Sequence, residues 1–428
     1  MRYKVVAELL HGADSLPSPE AEDALITGHQ GDNVRQPSIR LLPLALPFLL
    51  SSSLLRAQTP SPTPADSSQP AKPAVQQSTP SSTLPFAFSG VLYLNYQYGG
   101  PTNANSANRF DVERAYLNFR ASAGSRDSIR VTADVFQQRD PALDDYYAGW
   151  AVRIKYAYLN HQFVSGPSSA TRVFGRIGIL QTVIIEKEEQ YWNRGLSQAA
   201  VEQAGYFNSA DAGAAAVVAL PNRLGEVYAT IVNGNGYVSR ETDRFKDFQA
   251  RVSISPWANS SGVLRGLEFS PWVSLGGRSS SFAAGQGTLA PVSQMQRKDR
   301  YGLFTGYRNS RVVAGLQLGR KVDIVETADT TLDVVPTSST VEGNLVSAFG
   351  FWRPLGSASE SPWQLLFRVD NVEPDNSQNG NQRRYIAGTM WDLSSRTSVT
   401  LDVQTLSFRN GLPGTNTRTY FLHFIANF

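Results

Sequence analysis

The sequence predicts an all-β fold, a transmembrane antiparallel β-barrel of about sixteen strands with a long third outer loop folded into the lumen. From residue 86 onward, segments of about ten residues alternate apolar and polar side chains. The connections between them alternate between short and long. No apolar run reaches the roughly 18 residues that a membrane helix needs. A barrel strand needs an apolar side chain only at every second position, so a mean hydropathy of −0.26 is compatible with it.

Composition excludes several other classes of protein. The net charge of +3 gives no reason to expect a nucleic-acid partner, and the absence of Cys excludes a disulfide scaffold and a thiolate zinc site. Asp134, Asp144 and Asp145 do not have the spacing of a metal-binding loop, and no phosphate-binding Gly-Lys loop is present. We therefore predict no cofactor, no metal site and no catalytic residues.

The region before the strands is predicted to be a leader and a linker. Residues 34–57 have the layout of a signal peptide, with Arg35 and Arg40 before an apolar core. Residues 1–33 fit nothing downstream and are interpreted as a non-native upstream extension, with the true start at Val34. Residues 58–85 are rich in Pro, Ser and Thr and are predicted to be a disordered periplasmic segment. The barrel is predicted to occupy residues 86–428.

The strand pattern is clearest in residues 150–160 and 171–180. One parity is apolar, and we expect it to face lipid; its members are Trp150, Val152, Ile154, Tyr156 and Tyr158, followed by Val173, Ile177 and Ile179. The opposite parity is basic. Further strands follow from about residue 211 to residue 428, and an even strand count returns both chain ends to the periplasm.

The basic parity of the early strands supplies the candidate pore-lining residues Arg120, Arg130, Arg153, Lys155, Arg172 and Arg176. If they converge, they favour anions. The alternative is a solvated polar face paired with acids such as Asp111, Glu113 and Asp134.

The connection at residues 181–210 is too long for an ordinary turn and is predicted to constrict the pore. Its charged residues are Glu186, Lys187, Glu188, Glu189 and Arg194. Carboxylates opposite an arginine wall would create a transverse field. The alternative is a charged surface loop. Tyr191 and Trp192 either anchor the loop to the wall or form a small core within it.

The last strand ends on an aromatic residue. Tyr420, Leu422, Phe424 and Phe428 share one parity, while His423 lies on the other and is expected to line the lumen. This ending resembles the signal that the barrel assembly machinery recognises in outer-membrane proteins.

Six segments resemble the phosphate-selective porin O and P family. They are FDVERAYLNF at 110–119, VRIKYAYLNH at 152–161, GRIGILQTVIIEKEEQYWNRG at 175–195, NSADAGAAAV at 208–217, IVNGNGY at 231–237 and KDFQARVSISPW at 246–257. The resemblance covers the first half of the barrel. It implies a trimeric outer-membrane channel with a basic pore and an inward-folded third loop. The basic positions here are mostly Arg, and the loop is acidic, which differs from an anion site built from lysines.

The expected function is that of an outer-membrane porin, a channel for passive diffusion and ion transport of small hydrophilic solutes, with anion or phosphate preference as one option. The expected partners are outer-membrane lipid, two further copies of the chain in a homotrimer, and the assembly machinery at Phe428. Two alternatives remain, a barrel with a blocked lumen that serves adhesion or envelope structure, and a barrel hydrolase.

Overall fold

A computed structural model of the chain describes residues 86–101, 107–137, 149–167, 169–241, 243–279, 295–327 and 337–428. The predicted leader, the upstream extension and the linker all lie outside these residues. The strands are β1 Phe86–Pro101, β2 Ala107–Ser122, β3 Asp127–Gln137, β4 Trp150–Val164, β5 Arg172–Gln181, β6 Ala210–Ala219, β7 Gly225–Val232, β8 Asp247–Ile254, β9 Leu267–Ser279, β10 Met295–Arg308, β11 Val312–Thr327, β12 Thr337–Trp352, β13 Trp363–Glu373, β14 Asn381–Asp392, β15 Thr397–Arg409 and β16 Thr417–Asn427.

The strands form one closed barrel in which each strand pairs antiparallel with its neighbours in sequence, and β1 pairs with β16. Closure satisfies the backbone hydrogen-bonding groups at the sheet edges, which lipid cannot do. The predicted sixteen-strand barrel is confirmed. The seam is completed by a pair of hydrogen bonds, from Gly90 N–H to the Phe428 carbonyl at 2.8 Å and from Phe428 N–H to the Gly90 carbonyl at 3.0 Å.

The outward parity of the wall is apolar and exposed. Val152, Ile177, Ile231, Phe367 and Leu401 are each more than half exposed. A soluble protein rarely exposes a continuous apolar surface of this extent. Because this surface encircles a closed sheet, it is suited to contact with acyl chains.

The helical content of the described chain is small. Two short helices, α1 Ile185–Glu188 and α2 Ala200–Gln203, lie between β5 and β6, and single 3₁₀ turns occupy Pro221–Arg223 and Val263–Gly266. Within the described residues, no helix is long and apolar enough to span a membrane.

The buried core lies inside the barrel and is built largely by the connection between β5 and β6, residues 182–209, which we call loop 3. Val183, Ile184, Ile185, Ala199 and Val201 of this loop have no exposed surface. They cluster with inward-facing aromatic residues of the wall. The prediction of a long third loop folded into the lumen is therefore confirmed, and the surface-loop alternative is wrong.

Candidate functional site

Loop 3 is packed against one side of the barrel. The Trp192 ring lies 5.3 Å from the rings of both Phe349 and Phe351 on β12, and the Tyr191 ring lies 5.3 Å from Phe304 on β10. Burial of such aromatic side chains is strongly stabilising. Tyr191 and Trp192 therefore anchor the loop to the wall at β10 and β12.

Polar contacts fix the same side of the loop. Arg368 on β13 has no exposed surface, and it donates to the Ser197 hydroxyl at 3.1 Å and to the Gln198 carbonyl at 2.8 Å. Gln404 on β15 donates to the Leu196 carbonyl at 2.9 Å. These side chains satisfy carbonyl groups that a buried loop would otherwise leave unpaired.

The opposite edge of loop 3 faces β1–β4 across a cavity of about 170 Å³. The wall contributes mainly tyrosine and basic side chains, and the loop contributes charged ones. The lining residues are Val91, Tyr93, Tyr116, Asn118, Arg130, Thr132, Lys155, Tyr156, Glu186, Glu189 and Arg194. We call this space the eyelet cavity.

Of the six wall residues singled out from the sequence, two line the eyelet cavity, Arg130 and Lys155. Arg153 lies nearer the long loops, where its Nε donates to Asp134 at 2.8 Å. The other three lie closer to the short turns. Arg176 donates to Asn160 at 3.1 Å, Arg172 is partly buried beside Phe174, and Arg120 is exposed opposite Arg130 on β3.

Of the five loop residues singled out, Glu186, Glu189 and Arg194 line the cavity. Lys187 instead turns to the far wall, where its Nζ lies 3.1 Å from Glu268. Glu188 points into the loop itself and accepts a hydrogen bond from the Ala200 N–H.

The strand parity expected for β4 is wrong beyond Ile154. Thr132 pairs with Tyr156 and Ala133 pairs with Ile154, so Lys155 is the extra residue of a β-bulge. The bulge reverses the parity and turns Tyr156 and Tyr158 into the lumen. Tyr156 is buried beside the cavity, and the Tyr158 hydroxyl accepts from Gln181 at 3.2 Å.

The charges around the cavity are paired, once between wall and loop and twice within loop 3. Arg130 NH1 lies 3.3 Å from Glu186. Arg194 is paired with Glu189, and its NH1 lies 2.6 Å from Glu202. Although burial acts to raise it, the neighbouring Arg194 lowers the pKa of the Glu202 carboxyl. Arg194 Nε also donates to the Tyr116 hydroxyl at 3.0 Å, which ties the loop to the β2 wall.

Wider cavities lie on both sides of the eyelet cavity. One, of about 390 Å³, is lined by Arg114, Arg153 and residues near the long loops, including Tyr237. The other, of about 640 Å³, is lined by residues of the short turns such as Asn309 and Ser394, and it shares Tyr93, Glu189 and Arg194 with the eyelet cavity. The eyelet cavity is the smallest of the three.

Sequence reasoning missed Tyr93, Tyr116 and Tyr237 as site residues, although the inward parity of the first two could have indicated them. Asp134, named above as a possible partner of the basic face, is completely buried between Arg153 and Arg114. Tyr237, in the connection between β7 and β8, donates to Asp134 at 3.3 Å and lines the 390 Å³ cavity.

No group of three His, Asp or Glu side chains in the described parts of the chain is arranged to hold a metal ion. His423 is buried on the inward parity of β16, with its Nε2 3.0 Å from Asp402. Among the hydrogen bonds between described residues, none joins a serine hydroxyl to a histidine.

Comparison with known proteins identifies the fold. No family model matches the sequence, and no curated protein matches it. Among solved structures, a loop-deletion mutant of the outer-membrane protein OmpT of Vibrio cholerae has a TM-score of 0.54 at 8% identity, covering 80% of this chain and 99% of that one.

Two channel structures are similar to the same extent. The anion-selective porin from Comamonas acidovorans has a TM-score of 0.52 at 10% identity, covering 80% of this chain and 99% of that chain. The outer-membrane channel DcaP of Acinetobacter baumannii has a TM-score of 0.52 at 12% identity, covering 80% and 97%. At such identities the likeness concerns the fold. A closed sixteen-strand barrel with an apolar exterior is the architecture of outer-membrane proteins, and this protein is an outer-membrane β-barrel.

Proposed function

We propose that the protein is a porin, a channel for passive diffusion of small hydrophilic solutes across the outer membrane. The observation that carries this proposal is the uneven docking of loop 3. Most of its apolar contacts lie on β9–β14, with further ones on β6, β7 and β16, and a polar cavity lies on the β1–β4 side between two larger cavities. Pore selectivity depends on diameter and on lining charge, and this arrangement supplies both.

The lining charge supports a preference for anions. Arg130 and Lys155 line the eyelet cavity from the wall, while Arg114 and Arg153 line the cavity on the long-loop side. The acids Glu186 and Glu189 face them from the loop, so an anion would pass along the basic wall rather than the loop. The resemblance to the phosphate-selective porin O and P family favours the same sign of charge, with phosphate as a candidate solute.

Reversal potential in planar bilayers tests the proposal. The purified full-length protein should give discrete conductance steps, and a tenfold KCl gradient should give a reversal potential of the sign for chloride selectivity. The double variant Arg130→Gln/Lys155→Met should shift that potential toward zero, whereas Arg126→Gln in the exposed β2–β3 turn should leave it unchanged. Cation selectivity of the unmodified protein would refute anion preference.

A barrel with a blocked lumen is the second candidate, and one observation favours it. Loop 3 touches both walls, because Arg194 reaches Tyr116 on β2 while Trp192 packs on β12. A protein that inserts into bilayers but conducts no ions would support this structural role. A hydrolase would instead release fatty acid from vesicle phospholipid, and we expect no release above that of empty vesicles.

We also propose a homotrimer. The family resemblance implies it, and one of the similar structures is described as OmpT of Vibrio cholerae in a trimer form. Native mass measurement in detergent should give three times the mass of one chain. A monomer at every protein and detergent concentration would contradict this.

A further inference from the structure

The eyelet cavity combines two kinds of surface that a channel for inorganic ions does not need together. Three tyrosine rings line it, and the Tyr93 and Tyr116 rings meet edge-to-face with centroids 6.0 Å apart. Basic groups lie on the same rings. Lys155 Nζ is 4.3 Å from the Tyr116 ring centroid, and the Arg130 guanidinium is 4.5 Å from that of Tyr156.

Lys155 differs from the other cations of the cavity in having no carboxylate at ion-pair distance among the described residues. The residue is only 3% exposed, and its hydrogen bond goes to the Tyr116 hydroxyl at 3.3 Å. Arg130 and Arg194 each pair directly with a carboxylate, whereas Glu202 acts on Lys155 only from a greater distance. A buried ammonium without a direct ion pair gains from an incoming anion.

Lys155 also sets the charge of that anion, because Arg130 and Arg194, which line the same cavity, are already paired with carboxylates. One carboxylate on a solute can meet the Lys155 ammonium. A second negative charge on the solute would lie in a partly dehydrated space beside Glu186 and Glu189.

The tyrosine rings favour a solute that carries a planar apolar group. A planar apolar group can stack on the ring faces or meet their edges, and such contacts add to the energy of simple burial. Inorganic phosphate and chloride offer no surface of this kind. A ring and one carboxylate on the same solute would use both features of the cavity.

We propose that the eyelet cavity is a transient binding station for aromatic monocarboxylates, with Lys155 meeting the carboxylate and Tyr93, Tyr116 and Tyr156 contacting the ring. This inference rests on the proposed channel function and specifies the solute class of the same site. It predicts that the channel distinguishes a planar ring from a non-planar ring when both solutes carry the same charge. A pore that is merely basic would not make this distinction.

The test uses the full-length protein in planar bilayers with chloride as the current carrier. Benzoate is added as a blocker and compared with cyclohexanecarboxylate, which has the same charge and a non-planar ring, and with inorganic phosphate. We expect benzoate to interrupt the chloride current at concentrations about three- to tenfold lower than cyclohexanecarboxylate, as the energy of an aromatic contact would give. Phosphate should block more weakly than benzoate.

Two variants and a control test whether Lys155 and Tyr156 cause the benzoate block. Lys155→Met should weaken the benzoate block roughly tenfold or more, as loss of a charged hydrogen-bond partner does. Tyr156→Leu should leave chloride conductance and remove the discrimination between the planar and non-planar rings. Lys246→Met, in an exposed loop where Lys246 pairs with Glu241, should change neither quantity.

The outcomes separate this inference from the channel proposal. Three results, each with a normal chloride current, would overturn only the proposed binding of aromatic carboxylates. They are equal block by the two carboxylates, tighter block by phosphate than by benzoate, and a benzoate block that Lys155→Met does not change. Absence of any chloride current from the unmodified protein would overturn the channel itself, and with it this inference.

Discussion

Glu188 shows how the interior of loop 3 sets the properties of a single residue. It is fully buried, one carboxyl oxygen accepts from the Ala200 N–H, and the other has no hydrogen-bond partner. Burial raises the pKa of the Glu188 carboxyl to about 7, and the nearby Arg368 opposes this rise only in part. The two halves of the loop are therefore joined by a group that is protonated in mildly acidic solution.

The raised pKa makes the free energy of unfolding depend on pH. Between about pH 4.5 and 7 the folded chain keeps a proton that the unfolded chain loses, so stability falls as the pH rises through this window. The expected loss is on the order of 3 kcal/mol. Urea unfolding in lipid vesicles at pH 5 and pH 8 measures it.

Glu188→Gln should remove most of this pH dependence, because glutamine keeps a hydrogen-bond acceptor without the titration. Glu360→Gln, which changes an exposed carboxylate in the β12–β13 turn, serves as the control. An unchanged pH slope in the Glu188 variant would show that loop 3 does not bury this group in solution.

At the scale of elements, two glycines of the wall leave room for aromatic rings of loop 3. Gly306 on β10 and Gly319 on β11 face inward, and an aromatic ring of loop 3 occupies the space above each of them. A Cβ at Gly306 would collide with the Tyr191 ring, and one at Gly319 would lie 2.9 Å from the Tyr206 ring. The close approach of the loop depends on these positions having no side chain.

Gly306→Ala should therefore push loop 3 toward the basic wall and narrow the eyelet cavity. Overpacking of this kind costs about 1–3 kcal/mol, so the barrel should still fold. Single-channel conductance should fall relative to the unmodified protein. Gly262→Ala is the matched control, since the nearest atom to an added Cβ there is 4.0 Å away. A conductance that stays the same or rises would contradict this predicted shift of loop 3.

At the scale of the whole molecule, Phe428 extends the β1–β16 seam that closes the barrel. Phe428 exchanges two backbone hydrogen bonds with Gly90, and its ring covers that glycine and lies 5.8 Å from the Phe88 ring. The same residue is the proposed contact of the barrel assembly machinery. The proposed recognition and the seam contacts would then share one position.

Deletion of Phe428 separates these two roles. We expect less folded barrel in the outer membrane of cells, measured by the electrophoretic shift between unheated and boiled samples. Refolding of the purified chain into vesicles, where no machinery is present, should also become less efficient because the β1–β16 seam loses a bonded pair. Normal refolding in vesicles with a defect only in cells would assign Phe428 to recognition alone, and normal folding in both would refute both roles.

The sequence by itself determined the barrel, the number of strands and the position of the inserted loop. Alternation with period two is a local property, because successive side chains of a strand point to opposite faces whatever the strand pairs with. A long connection between short turns is equally visible along the chain. The inward parity of Arg130 and Lys155 followed from the same rule.

Only the tertiary structure decided which of these charges meet. The bulge at Lys155 reverses the faces of Tyr156 and Tyr158, and nothing in local alternation indicates an extra residue there. The side on which loop 3 packs depends on Trp192, Phe349 and Phe351, which are far apart in sequence. The absence of a carboxylate beside Lys155 among the described residues is likewise a property of distances between strands, which side-chain order along one strand does not fix.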